Sequence, residues 1–244
     1  MTTQTGRVAL VTGGNKGIGL DIAEELGKAG CVVLVGARKP ELGEKAAASL
    51  VAKGIDARFV EIDLDGPETV TAAAAWVESE FERLDILVNN AGIAVEGDGP
   101  PSVANLESVE RTMRTNFLGS LRVTQAFLPL VRKSAAGRIV NVSSGLGSLQ
   151  QLGDPDWPYA AVKLIGYCAS KSALNMLTVQ TAWEVRDTTI KVNSVDPGYT
   201  ATDLNQNRGT QTVAEGAAEA VRLALLPEDG PTGGYFATEG VVPW

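Results

Sequence analysis

Short apolar runs alternate along this chain with longer segments in which apolar residues recur every three or four positions. Residues 7–12, Arg-Val-Ala-Leu-Val-Thr, have the length and β-branched content of a buried strand. A glycine-rich turn follows, and then an amphipathic segment through Ala29. The unit repeats. Residues 31–36 predict a second strand, apolar throughout as in strands covered on both faces; 40–53 predict a helix, 57–62 a third strand, 67–83 an alanine-rich helix and 84–89 a fourth strand. Further on, 106–133 predict a long helical region, 137–144 a fifth strand, 167–185 a helix, 188–195 a sixth strand, 211–226 a helix and 233–237 a seventh strand. Polar, Gly/Pro-containing stretches at 96–101 and 145–166 read as loops. Such regular alternation, without linker, low-complexity stretch or internal repeat, predicts one α/β domain over residues 1–244. Its core is a doubly wound, mostly parallel, seven-stranded sheet with helices on both faces.

Composition narrows the chemistry. The 244 residues are 44% hydrophobic and 20% charged, ordinary for a globular chain with one sizeable core. No run approaches the ~18 apolar residues of a membrane span. The first residues lead into the strand without the pattern of a signal peptide, so a cytoplasmic location is expected and no membrane partner. A net charge of −8 argues against nucleic acid, whose phosphates need a basic surface. Cys31 and Cys168 stand far apart in no metal-ligand spacing, and histidine is absent, which excludes a histidine triad or a His/Cys zinc site. No metal is expected. Proton chemistry must come from Tyr, Lys, Asp, Glu or Cys.

Tyr167 and Lys171 offer it. Four residues apart on a helix, they share a face, and a nearby ammonium favours phenolate, so the spacing predicts a tyrosine pKa below its usual value of about 10. Tyr159 and Lys163 repeat the spacing. The helical pattern runs on from Lys171 through Leu174, Leu177 and Val185, whereas Tyr159 follows Trp157-Pro158 and is cut off by Gly166; Tyr167 is the better candidate acid/base. The turn Gly13-Gly14-Asn15-Lys16-Gly17-Ile18-Gly19, between first strand and first helix, suits a pyrophosphate against a helix N-terminus. Asn89-Asn90-Ala91-Gly92 lies after the fourth strand, where such sheets bind ligands. Asn116, a mediocre helix former in a long helical region, reads either as a tolerated polar residue or as a distortion freeing a carbonyl for water.

In this order, the glycine turn with Thr12, Asn89-Asn90-Ala91-Gly92, Asn116, Val142-Ser143-Ser144, Tyr167-x-x-x-Lys171 and Pro197-Gly198 resemble the short-chain dehydrogenase/reductase family over nearly the whole chain. Within it the chain looks most like NADPH-dependent carbonyl reductases. The resemblance implies a Rossmann-type fold and an NADP(H) cofactor, with Asn116, Ser144, Tyr167 and Lys171 as the catalytic set. Ser144 would hold the substrate oxygen, Tyr167 would donate the proton, Lys171 would bind the ribose, and Asn116 would position a water. Gly13, Asn15, Lys16, Gly17, Ile18, Gly19, Asp63, Leu64, Asn90, Ala91, Gly92, Pro197, Gly198, Tyr199, Thr200 and Thr202 would join Tyr167 and Lys171 in cofactor binding. No acid ends the second strand, where an NAD site needs one for the ribose 2′-hydroxyl. Arg38 stands there instead, able to hold a 2′-phosphate with Lys16 beside it.

The implied substrate is a small, apolar ketone or aldehyde in a pocket of Leu146, Leu149, Trp157, Tyr159, Tyr199 and Leu204. Two rival functions are a 3-oxoacyl-carrier reductase, which would need a basic patch for its carrier, and a non-catalytic NADP-binding redox sensor, which tends to lose the tyrosine and lysine. The segment 145–166 is longer than in many members. In monomeric carbonyl reductases an insertion there covers the assembly surface, so both homo-oligomer and monomer are expected forms.

Overall fold

The computed structural model of the protein describes residues 6–244; the first five, expected to form a lead without signal character, lie outside the described residues. The elements, in order, are β1 (Val8–Thr12), α1 (Gly17–Lys28), β2 (Val32–Ala37), α2 (Pro40–Val51), β3 (Ala57–Glu61), α3 (Pro67–Phe81) and β4 (Ile86–Asn89). Then come α4 (Leu106–Met113), α5 (Ser120–Val131), β5 (Arg138–Val142), α6 (Leu149–Gly153), α7 (Ile165–Glu184), β6 (Lys191–Val195), α8 (Val213–Ala224), β7 (Tyr235–Ala237) and β8 (Gly240–Val241).

The strands form one sheet in the order β3-β2-β1-β4-β5-β6-β7-β8. Seven are parallel, as the pattern predicts; β8 is a two-residue strand that turns back antiparallel on β7. Alternation along β1 shows why its run is wholly apolar. Ala9 and Val11 pack with Ile22 and Leu26 of α1, Leu50 of α2 and Leu223 of α8. Val8 and Leu10 pack on the other face with Val70 and Val77 of α3 and Phe127 and Leu130 of α5. A strand covered on both sides has no face left for polar residues. β1 lies between β2 and β4, so the chain reverses its direction of sheet growth there, opening a crevice at the strands' carboxyl ends.

Three expected boundaries differ in instructive ways. The helical region 106–133 is broken between α4 and α5 by a π-helical turn, Arg114–Gly119, with Asn116 inside it, which is the distortion the sequence suggested. Gly119 closes that turn tightly against the chain after β3, where a Cβ would lie 2.6 Å from Leu64 Cβ. The stretch 145–166 is only partly loop, holding a 3₁₀ turn at Gly145–Gly147 and the short α6. α7 begins at Ile165, so Gly166 is inside its first turn and not a spacer before it.

Beneath the carboxyl ends, a buried polar ladder fixes α7 on the sheet. Asn89 and Asn141 are register partners on β4 and β5, and Asn141 pairs in register with Ser194 on β6. Asn89 Nδ2 donates to Asn141 Oδ1 at 2.8 Å, Asn141 Nδ2 donates to the Thr178 hydroxyl at 2.7 Å, and that hydroxyl meets Ser194 Oγ at 2.7 Å. One α7 side chain thus joins a row of amides and hydroxyls crossing three strands. Removing it strands buried donors, an outcome that costs more than the hydrogen bond itself contributes. Thr178→Val is therefore expected to lower stability by about 1–3 kcal/mol in urea unfolding; a change near zero would show that the ladder does not anchor the helix.

Candidate active site

The glycine turn is built by close approach. Gly13 and Gly17 have φ of +63° and +53°, a backbone region that favours glycine. A Cβ on Gly13 would lie 3.0 Å from Ala91 Cα, and one on Gly19 would lie 2.4 Å from Asn90 Nδ2. The turn therefore sits directly against the segment after β4. Thr12 seals the contact: its hydroxyl accepts from Asn90 N at 3.0 Å and Ala91 N at 3.1 Å, while Asn90 Nδ2 donates to Thr12 O at 2.9 Å. α1 begins here with no side-chain cap and no acid in its first turn. Asn15 and Ile18 are half-buried in the same turn, and Lys16 is exposed.

On the other side of the β4 segment, Lys171 Nζ lies 3.6 Å from where a Gly92 Cβ would be. Its ammonium donates to Val142 O, the last carbonyl of β5, at 2.8 Å, and lies 5.7 Å from the centroid of the Tyr167 ring. Ser144, two residues past the end of β5, starts the 3₁₀ turn and accepts from Leu146 N at 3.3 Å. Its hydroxyl faces the Tyr167 phenol closely enough to favour the phenolate. Behind it, Tyr235 donates its hydroxyl to Ser144 O. Asn116 reaches the same region from the π turn. Its Oδ1 accepts from Ile93 N at 2.8 Å, and its Nδ2 donates to Ile93 O at 2.9 Å and Ser170 Oγ at 3.0 Å. The Asn116 carbonyl accepts from the Ser120 hydroxyl at 2.9 Å. All four expected catalytic side chains therefore converge.

The electrostatics correct one expectation. The spacing predicts a tyrosine pKa lowered by lysine, but burial pushes the Tyr167 phenol up to about 12, with Ser144 opposing and the charge of Asp196 adding to the rise. The same burial pushes Lys171 down to about 8, resisted by Asp196. Loss of water penalises the charged form of each group, and it outweighs the attraction that the four-residue spacing suggests. Tyr159, by contrast, is 41% exposed, with its ring against those of Trp157 and Tyr199.

The other expected residues fall into groups. Asp63 is half-buried and holds the Asp65 N–H at 3.1 Å, whereas the Leu64 side chain is buried in the core and its carbonyl accepts from Arg122. Arg38 is exposed at the end of β2 and has no ion pair or hydrogen-bond partner among the described residues. The Lys16 ammonium is already paired, at 2.7 Å with Asp203 in the loop after β6. That loop carries Pro197, Gly198 (φ +69°), Tyr199, Thr200 and Thr202. Thr202 comes within 3.6 Å of a Cβ on Gly17, but the Thr200 hydroxyl turns inward, donating to Pro197 O at 2.9 Å against Gly216 of α8.

Of the expected pocket, Trp157, Tyr159 and Tyr199 form a chain of rings, with centroids 5.4 and 6.1 Å apart, that joins the 145–166 segment to the loop after β6. Leu146 is half-buried; Leu149 and Leu204 are 73% and 47% exposed and belong to no such cluster. Asp196 escaped the sequence reading. At the end of β6, its Oδ1 accepts from Gly198 N at 3.0 Å, its Oδ2 lies 2.8 Å from where a Gly145 Cβ would be, and burial pushes its carboxyl up. Its place directly before Pro197-Gly198 was the available signal.

Known proteins resemble this chain over nearly its whole length. A mouse carbonyl reductase, NADPH-dependent by name, is 34% identical, with 97% of this chain and 98% of that protein covered. Aligned over 283 positions against the 244 residues here, it carries segments absent from this chain. (+)-Neomenthol dehydrogenase of Capsicum annuum is 33% identical over 96% of both chains. Among solved structures, the NADPH-bound carbonyl reductase from chicken fatty liver superposes with a TM-score of 0.85 at 30% identity, covering 98% of this chain and 95% of its own. The family model described as short chain dehydrogenase matches residues 7–213. Sheet order agrees with that match, and the chain belongs to the short-chain dehydrogenase family.

Proposed function

We propose that the protein reduces ketone or aldehyde carbonyls to alcohols with NADPH, reversibly, and that Tyr167 is its acid and base. The observation that carries this reading is the meeting of the Ser144 hydroxyl, the Tyr167 phenol and the Lys171 ammonium beside the turn that leads to an uncapped helix N-terminus. Relatives named as NADPH carbonyl reductases support the same reaction and cofactor.

The residues fit a dinucleotide phosphate. Free N–H groups open α1 with no acid in its first turn, and glycines hold the backbone in the tight turn before it. Arg38 is exposed and without a competing carboxylate, suited to a 2′-phosphate. Lys16 can add to it only by leaving Asp203, an exposed pair of the kind that contributes little. Bound there, NADPH supplies the hydride. The protein's part is positional and electrostatic. Ser144 and Tyr167 place two O–H donors where negative charge develops on the substrate oxygen. Tyr167, kept neutral by burial, gives its proton to that oxygen. Lys171 is held by Val142 O with its ammonium toward Gly92, where it can take the ribose hydroxyls. The rings of Trp157, Tyr159 and Tyr199 favour an apolar substrate.

Loss of NADPH absorbance with a panel of ketones, aldehydes and diketones tests the activity. Tyr167→Phe should cut kcat by roughly 100- to 10,000-fold while NADPH still binds, and Tyr159→Phe should keep most of it; the reverse would move the acid to Tyr159.

Because its pKa is depressed, Lys171 is charged below about 8 and neutral above. The kcat/KM for NADPH, which reports the free enzyme, should therefore fall as pH rises through that value. The residual activity of Lys171→Met should lack this limb, and its persistence there would assign it to another group.

Arg38→Ala should raise KM for NADPH about ten- to a hundredfold with little change for NADH, as expected for a charge-assisted pair. Equal KM values for both cofactors in the parent would defeat the assignment.

A further inference from the structure

We propose that Asp98 is a positioning residue for Tyr167, its carboxylate setting the first turn of α7 and so the place of the phenol. The proposal rests on Tyr167 being the acid of the reductase described above. Tyr167 is only the third residue of α7, and Gly166 precedes it. A first turn is the part of a helix that intrahelical bonds hold least, since its N–H groups have no partners in the helix, and glycine loosens it further. The residue entering the helix, Leu164, offers no side-chain cap.

The partners come from far away in sequence. Asp98 Oδ1 accepts from Gly166 N at 2.9 Å, Asp98 Oδ2 accepts from Tyr167 N at 2.8 Å, and Gly99 O accepts from Ile165 N at 3.0 Å. The carboxylate also takes Gly99 N at 2.9 Å, which orders its own loop. Fit is close: a Cβ on Gly166 would lie 3.1 Å from Asp98 Oδ2 and 3.0 Å from Val109 Cα of α4. The Tyr167 carbonyl is held as well. It accepts from Ser170 Oγ at 2.7 Å, which accepts in turn from Asn116 Nδ2 at 3.0 Å, and Asn116 grips Ile93 through both of its amide groups. Both peptide groups flanking the Tyr167 side chain are thus tied to the segment between residues 93 and 99. That segment continues directly from Asn90-Ala91-Gly92, which lies against the glycine turn. A carboxylate at this end of a helix is also favoured by the helix dipole.

The test compares the parent with Asp98→Ala and Asp98→Asn, following kcat, the NADPH dissociation constant and amide hydrogen exchange. A displacement of about 1 Å at a reacting group costs on the order of a hundredfold. Asp98→Ala should therefore lose kcat by roughly ten- to a hundredfold, with NADPH affinity close to the parent's. Exchange should quicken at Gly166 and Tyr167 and stay slow at Leu174 and Leu177 in the middle of α7. Asp98→Asn, keeping one acceptor oxygen, should recover part of kcat. If Asp98→Ala does not fold, Asp98→Asn alone decides, by the same split between kcat and affinity and the same local exchange. An unchanged kcat overturns the proposal, as does a loss shared equally by kcat, cofactor affinity and exchange along all of α7. A parent without turnover would refute the reductase reading, and the exchange at Gly166 and Tyr167 would still decide whether Asp98 holds the turn.

Discussion

An ammonium held out of water is the constraint on which this site depends. Lys171 is 4% exposed, and burial takes its pKa to about 8 from 10.5, a change equivalent to roughly 3 kcal/mol against the folded state at neutral pH. That net shift already includes the opposing charge of Asp196, and the ammonium's own hydrogen bond goes to Val142 O. The cost is carried by the scaffold, a sheet packed on both faces. Such destabilised groups at functional sites are the usual exchange of stability for activity.

The scaffold also explains why the helix bearing the lysine cannot drift. Thr178 joins the row Asn89–Asn141–Ser194, two turns along α7 from Lys171, and Ser143 Oγ donates to Lys171 O at 3.3 Å. Parallel strands end together at one edge of the sheet, so β1, β4, β5 and β6 deliver the glycine turn, Asn90, Ser144 and Asp196 to one crevice. Close backbone approach at Gly13, Gly19 and Gly92 then brings the phosphate-type turn and the lysine within reach of one ligand.

Much of this was legible in the chain. Strands buried on both faces leave unbroken apolar runs, and a chain without histidine leaves few proton carriers to choose among, which made Tyr167 and Lys171 stand out. The π turn was visible as a misplaced Asn116. What escaped depends on distance in sequence or on burial. Asp98 lies in a polar Gly/Pro stretch that reads as plain surface, and its partners are 68 and 69 residues away. Lys16 looked like a free cation because Asp203 is 187 residues along. The direction of the Tyr167 shift was misjudged because spacing reveals a neighbouring charge but not the loss of water around both groups. β8 has only two residues and no pattern to read.

In the proposed reaction this site brings a hydride and a proton to one carbonyl. The most direct measurement is mass spectrometry of the alcohol formed from an apolar ketone with NADPH deuterated at nicotinamide C4, each face labelled separately. One deuterium is expected on the carbinol carbon, from one face only, with the hydroxyl proton drawn from solvent through Tyr167. Alcohol formed without deuterium from either label, or no alcohol from any ketone or aldehyde offered, would contradict it.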